Sequence, residues 1–344
     1  MRSQRLTSIF LLVICLVTPN AQGWDYEGHR IINQAALAIL PADFPAFVCE
    51  PAAAERIAFL SGEADRWRNM PDLPLKHAAN PEHYFDYEQV AKAGLDVKTM
   101  PDLRHVFMAQ FAAGRAAHAA AFSAIDEAKN AEHTAEWPGF APWAITEYYA
   151  KLKSAFSYLR IYQELGTPDE IANAQANIIY IMGVMGHYVG DCAQPLHLSV
   201  HHNGWEGENP KEYTRWPGFH AWIDGGFPAK CGISLVDVLP KVTPVKPWPM
   251  ISAPGGRDPM FEAVLAYITT QHRFVEPLYQ LEKEGHLKAD NSNGFAIGKK
   301  FLSERLYDGS QALAAIWLTA YREAKPDTYL RTRLEKRREA ETRE

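Results

Sequence analysis

The 344-residue sequence predicts an all-α protein, a single mainly helical domain with long irregular loops. Two observations carry this. Apolar residues recur at the three- and four-residue spacing of a helix, and the period-two alternation of β-branched residues that marks strands is scarce. A third is local: Thr167-Pro168-Asp169-Glu170 joins a capping hydroxyl, a first-turn proline and two acids, the chemistry of a helix start.

Taken in order, residues 1–23 read as a secretory signal peptide. Arg2 and Arg5 supply the basic region, Ile9 to Val17 the apolar core, and Ala21-Gln22-Gly23 a small-x-small cleavage signature. The apolar stretch is too short to span a bilayer, and no later run approaches the roughly 20 residues required. An exported protein, periplasmic or secreted and without stable membrane insertion, is therefore expected. Cys15 follows Ile14 rather than a small residue, which argues against a lipoprotein anchor. Cleavage after Gly23 frees the α-amino group of Trp24, with an ordinary pKa of about 8.

Helices are then expected over Ile31 to Leu40, roughly Ala52 to Trp67, Leu103 to Ala124 and Ile145 to Leu165. The segment opening at Thr167 continues apolar to about Cys192 and reads as the central helix. Between Pro195 and Pro259, Gly, Pro and Trp accumulate; aromatics are poorly solvated in a free tether, so this is expected to be a long irregular region of the domain. Helices resume over Arg257 to Glu284 and Gly294 to Glu323. Leu330 to Glu344 alternates charges at helical spacing and is expected to be solvated, which sets residues 326–344 apart as a charged tail on a domain of residues 24–325. There are no internal repeats.

A hydrophobic content of 47% is ample for a packed core in about 320 mature residues. The leader carries two arginines and no acids, so its removal takes the formal net charge from −6 to −8. A protein relying on general attraction to a nucleic-acid backbone would be basic, so any phosphate affinity must come from a local site. Loss of Cys15 leaves Cys49, Cys192 and Cys231, which permits at most one disulfide, with the pairing of Cys49 to Cys192 or Cys231 open.

The chemistry lies in the 13 histidines and their neighbours. In "GHYVGDCAQPLHL", His187 and Asp191 are four apart and share a helix face, Pro195 ends the helix, and His197 follows just past it. "GFHAWIDGG" repeats the spacing at His220 and Asp224. Imidazole nitrogen and carboxylate oxygen bind Zn²⁺ at about 2.0 to 2.2 Å, and i, i+4 spacing presents both without strain. A single such pair is more often a local hydrogen bond; two pairs and a third histidine close in sequence point to metal. Upstream candidates are His29, Asp65 in "LSGEADRWRN" and His83 in "PEHYFDYE".

On these residues the chain resembles the trinuclear-zinc, single-strand-specific nucleases nicknamed P-one and S-one, which share their fold with the zinc-dependent phospholipases C. The most specific element is His187-x3-Asp191-x2-Gln194-Pro195-Leu196-His197; Trp24-x4-His29 gains weight from lying at the cleavage site. The resemblance implies three zinc ions. One would be held by Asp65, His83, His187 and one oxygen of Asp191. A second would be held by the other oxygen of Asp191, by His29, and by the amine and carbonyl of Trp24. The third would be held by His197, His220 and Asp224. A water between two dications should lose its proton near neutral pH. The resemblance further implies that Asp65 orients this nucleophile, that Arg68 neutralises transition-state charge, and that Tyr84 stacks a base whose edge Asp86 hydrogen-bonds. The implied activity is endonucleolytic cleavage of single-stranded DNA or RNA to 5′-phosphates, with or without 3′-nucleotidase activity, by a monomer.

There are departures. The chain between His83 and His187 is longer than the nuclease pattern and should carry an extra helix or lid. "SVHHNGWEGENP" replaces a glycine-rich turn after His197, with His201, His202 and Trp205 either meeting substrate or lining a surface loop. Gly218-Phe219 replaces Asn-Leu, and Ile223 replaces a tryptophan. Phospholipid is the alternative substrate, a zinc phospholipase C using the same metals; Glu27 is shared with those enzymes. A non-catalytic exported metal-binding protein is the second alternative.

Overall fold

The computed structural model describes residues 24–239, 243–251, 255–288 and 294–343, and all regular secondary structure among them is helical. The leader expected over residues 1–23 lies outside the described residues.

Helix α1 (Tyr26–Ala38) starts where the Asp25 carboxylate accepts the Gly28 N–H at 3.2 Å. The single helix expected over Ala52 to Trp67 is two, α2 (Pro51–Leu60) and α3 (Glu63–Asn69), broken at Ser61-Gly62. A Cβ on Gly62 would lie 2.6 Å from the Tyr26 ring, so α1 packs against the break itself. Then come α4 (Leu73–Ala79), a 3-10 turn (Asn80–His83), α5 (Tyr87–Lys92) and α6 (Arg104–Ala117). Helix α6 ends seven residues before the expected Ala124, and short 3-10 turns follow it. Helix α7 (Ala141–Leu165) precedes α8 (Pro168–Asp191), whose predicted cap forms a full capping box: Thr167 Oγ1 accepts the Glu170 N–H and Glu170 accepts the Thr167 N–H.

The region from Pro195 to Pro259 is less irregular than expected. It contains a 3-10 turn (Pro195–Leu198), α9 (Phe219–Ala221), a π-helical turn (Trp222–Gly226), α10 (Phe227–Cys231) and α11 (Leu235–Val238). The helix expected over Arg257 to Glu284 is interrupted at Arg273-Phe274, giving α12 (Pro259–His272) and α13 (Val275–Lys283). Helix α14 (Phe295–Glu323) matches the expectation closely, and α15 (Thr328–Glu341) ends the chain.

Helix α8 is the axis of the molecule, packed against α1, α2, α7 and α14. Every residue from Met182 to Asp191 is buried, and apart from His187 and Asp191 the stretch is apolar, aromatic or small, as packing on all sides requires. Two glycines make the approach of α1 possible. A Cβ on Gly186 would lie 1.7 Å from Asn33 Oδ1, and one on Gly190 would lie 2.8 Å from His29 Nδ1. Asn33 in turn donates to the carbonyls of Ile57 (2.8 Å) and Gly183 (3.0 Å), bolting α1 to α2 and α8.

The charged C-terminal segment is a helix whose side chains are mostly exposed, as expected, and it touches the domain along one side. Helix α15 docks on α7 by burying Leu334, while Arg331 pairs with Glu164 and Arg337 with Glu170 on the start of α8. Its charge alternation splits between solvent and these partners. Cys49, Cys192 and Cys231 are all free thiols, and Cys192 is buried.

Candidate metal centre

The buried end of α8 gathers side chains from six parts of the chain. His187 and Asp191 come from α8, His29 from α1, Asp65 from α3, and His83 from the 3-10 turn after α4. His197 comes from the 3-10 turn Pro195–Leu198 just past α8, while His220 and Asp224 come from α9 and the π-turn. Their ligand atoms form three compact groups: His29, His187 and Asp191; Asp65, His83 and His187; and His197, His220 and Asp224. All are buried.

Local structure explains how these rings are held. The break between α2 and α3 frees the Ser61 carbonyl, which accepts Nδ1–H of His187 at 2.6 Å. The turn ending at His83 likewise leaves its carbonyl to accept Nδ1–H of His197 at 2.7 Å. Each contact fixes the tautomer with the proton on Nδ1, so the Nε2 lone pair faces the group; a backbone carbonyl on the far nitrogen is the usual companion of a metal-binding histidine. Gln194, just past α8, donates through Nε2 to Asp224 Oδ1 at 2.6 Å.

Asp191 divides its oxygens. Oδ1 faces His29 Nε2 at 3.4 Å and His197 Nδ1 at 3.7 Å, while Oδ2 faces His83 Nδ1 at 3.0 Å and His187 Nε2 at 3.3 Å. Asp65 Oδ1 approaches His187 Nε2 at 3.7 Å and His83 Nδ1 at 4.0 Å. His220 Nε2 and Asp224 Oδ2 stand 3.0 Å apart. Buried polar atoms normally find hydrogen bonds. Here Nε2 of His197, Nε2 of His220 and Oδ2 of Asp224 have none among the described residues. Lone pairs that converge without protons between them fit a cation, and these His/Asp groups could hold metal ions.

The electrostatics favour the ligating state at His83, His220 and Asp191 and oppose it at Asp224 and His187, both of which are raised. Burial, with the Arg68 charge adding to it, brings His83 down to about 3; burial, with the His202 imidazole, does the same for His220. Both rings are therefore neutral at ordinary pH, the state ligation requires. Burial alone would raise Asp191, but the imidazoles of His187 and His197 outweigh it and hold the carboxyl well below its ordinary range. Asp224 goes the other way: burial pushes it well up.

A cavity of 410 Å³ opens onto this centre, lined by Arg68, Tyr84, Asp86, Trp137, His197 and His220 among others. Arg68 Nε lies 2.9 Å from Asp65 Oδ1. Tyr84 is half-buried with its hydroxyl donating to Thr134 O at 3.4 Å, and Asp86 Oδ2 accepts from Gln89 Nε2 at 2.6 Å. The eight expected histidines and aspartates thus fall into these groups, and Arg68, Tyr84 and Asp86 line the adjoining cavity. Trp24 is fully buried beside Gly28, and the next residue donates its N–H to Asp224 O at 3.2 Å, so the start of the domain is pinned to the centre. The replaced loop splits. His202 lines the cavity, whereas His201 stacks on Trp205 at 4.0 Å and packs away from it near Tyr279.

Sequence reasoning missed Asn33, Gly186, Gly190, Trp137 and the orienting role of Gln194. The glycines left a signal, since three within the apolar run "GVMGHYVG" of a helix mark close backbone approach. Asn33 and Trp137 left none.

Fold and site together define an all-α protein with buried His/Asp groups at the head of its central helix. The chain matches no protein-family model, no curated protein and no solved structure with which it was compared.

Proposed function

We propose that the chain is a zinc-dependent phosphodiesterase that hydrolyses single-stranded nucleic acid. The observation that carries this reading is the division of the Asp191 oxygens between His29 on one side and His83 with His187 on the other. A carboxylate so placed suits a bridge between two cations.

The donor set is histidine nitrogen and carboxylate oxygen without thiolate, which suits Zn²⁺. One ion would be held by Asp65, His83, His187 and Asp191. A second would be held by Asp191, His29 and, in a chain beginning at Trp24, the α-amine and carbonyl of that residue. A third would be held by His197, His220 and Asp224. Bound there, zinc would supply Lewis acidity toward a phosphoryl oxygen and bring the pKa of water toward neutrality.

The protein's own groups do the rest. The Asp65 carboxylate orients the attacking water. Arg68, held beside Asp65 and lining the cavity, sets a guanidinium where charge develops on the phosphoryl group. The half-buried Tyr84 ring, with Trp137 near it on the same wall, offers a face for a base, worth about 1 to 3 kcal/mol per stacked base and tolerant of sequence. Asp86, raised to about 6 by burial, is ionised at neutral pH and accepts from a base edge.

The test is metal analysis of the chain starting at Trp24, followed by assays on single-stranded DNA, RNA, a 3′-nucleotide and phosphatidylcholine. Bound zinc and cleavage of single-stranded nucleic acid, abolished by chelation, are expected. Hydrolysis of phosphatidylcholine alone would identify a phospholipase C. A metal-loaded protein inert toward all four would leave only metal binding.

A further inference from the structure

The metal-facing cavity continues. A second chamber of 290 Å³ shares Asp86, Gln89, Asn130 and His202 with it and extends to Lys92 on α5, Arg115 on α6 and Phe122 beyond α6. Much of its wall comes from the segment that lengthens the chain between His83 and His187. Arg115 lies over the Phe122 ring at 4.3 Å, half-buried, an arrangement that presents a flat cation backed by an aromatic. It forms no ion pair among the described residues; Glu136, its electrostatic neighbour, is already taken by Asn130 and His133. Lys92 is likewise outside every ion pair of the described residues.

The carboxylates on these walls are partly accounted for. Asp126 pairs with Lys129 at 3.3 Å, while Asp86, hydrogen-bonded by the neutral Gln89 amide, and Glu206 share the chamber with Arg115 and Lys92 without pairing with either. The wall is rigid rather than incidental. Buried Asn130 accepts the N–H groups of Thr134 and Ala135 and donates to Glu136, and Asn80 donates to Thr134 Oγ1 at 3.1 Å.

We infer that this chamber is a subsite for the phosphate of a nucleotide flanking the one at the metal centre, bound by Arg115 and Lys92, so that the protein prefers single-stranded oligonucleotides to isolated phosphodiesters. The inference rests on the nuclease reading of the metal centre. The chamber sets Arg115 and Lys92 beside apolar Phe122, Ile125 and Val200, a mixed wall that suits a phosphate joined to a base.

The experiment compares kcat/KM on a dinucleoside monophosphate, which has only the scissile phosphate, with that on a ten-nucleotide single strand. The metal-loaded protein, the Arg115→Ala/Lys92→Ala variant and the Lys92→Glu variant are assayed side by side. Lys92 is exposed, so its replacement tests the chamber even if loss of Arg115 disturbs α6; circular dichroism checks both. The preference for the longer strand is expected to fall about tenfold in the double variant, and the salt slope of its binding should flatten by about 0.7 for each phosphate no longer neutralised. An unchanged preference, or equal loss on both substrates, overturns the inference while leaving the nuclease reading intact. A wild-type protein that cleaves neither substrate overturns both.

Discussion

Gln194 donates through Nε2 to Oδ1 of Asp224 at 2.6 Å, tying the end of the central helix to the π-helical turn that carries the last acidic group of the metal centre. The same side chain accepts the Leu196 N–H at 2.7 Å, so one residue both shapes the turn bearing His197 and aims its partner carboxylate. Substitutions at such outer positions usually cost about 10- to 100-fold in metal affinity. Gln194→Ala is expected to weaken one ion by that amount and leave the others bound, as read by competitive chelator titration. Uniform loss of all metal would place Gln194 in the general fold instead.

Asp191→Asn should be far more disruptive. It removes charge from the residue that faces His29 on one side and His83 with His187 on the other. Elemental analysis is expected to show metal lost from that double group and retained by His197, His220 and Asp224. Retention of full metal content would refute the bridging role.

Arg68→Ala is expected to lower kcat on single-stranded substrate about 100- to 1000-fold, the usual effect of deleting a preorganised donor to transition-state charge. Metal content should hold. If zinc disappeared in step with activity, the pairing of Arg68 with Asp65 would be its function and the electrostatic role would fail.

Glu88 provides a pH test of stability away from the metal ligands. Burial raises its carboxyl, but the hydrogen bond with His272 and those from Ser199 and the Val200 N–H outweigh it and bring the group down to about 2. A carboxyl depressed in the folded state stabilises above its unfolded value of 4.5 and loses that stabilisation as pH falls toward 2. Glu88→Gln should therefore cost about 2 kcal/mol at neutral pH, allowing for partial exposure, and the gap to wild type should close between pH 4.5 and 2. Urea unfolding at a series of pH values reads the difference; a gap independent of pH would show that the carboxylate charge contributes nothing.

Trp24 tests the proposal that its α-amine is a metal ligand. The Asp25 N–H donates to Asp224 O and Trp24 is buried over Gly28, so a chain starting at Trp24 is expected to bring its amine toward the centre. One extra residue before Trp24 removes that primary amine. Such a chain is expected to bind one zinc more weakly and to lose most of its activity; full activity and metal content would exclude the amine as a ligand.

What depends on near neighbours is legible in the chain alone. Apolar spacing marks the long helices, the Thr167/Glu170 capping box sets the start of α8, and i, i+4 spacing pairs His187 with Asp191 and His220 with Asp224, although the second pair rides on a π-turn rather than a regular helix. These are effects of one or two turns, and hydrophobic period and capping chemistry report them directly. The helix breaks are hidden, because Ser61-Gly62 is interrupted by packing of Tyr26 from another helix, and the docking of α15 is hidden because one buried leucine is a faint signal in a charged run. Asp65 and His83 carry no spacing of their own, so the chain alone offers them only as candidates and the resemblance supplies their role. Packing across the molecule settles that the freed carbonyls of Ser61 and His83 orient His187 and His197, that Gly190 admits His29, and that the loop after His197 sends His202 to the cleft and His201 away. Those outcomes depend on groups far apart in the chain meeting in a close-packed interior, and no local pattern encodes that distance.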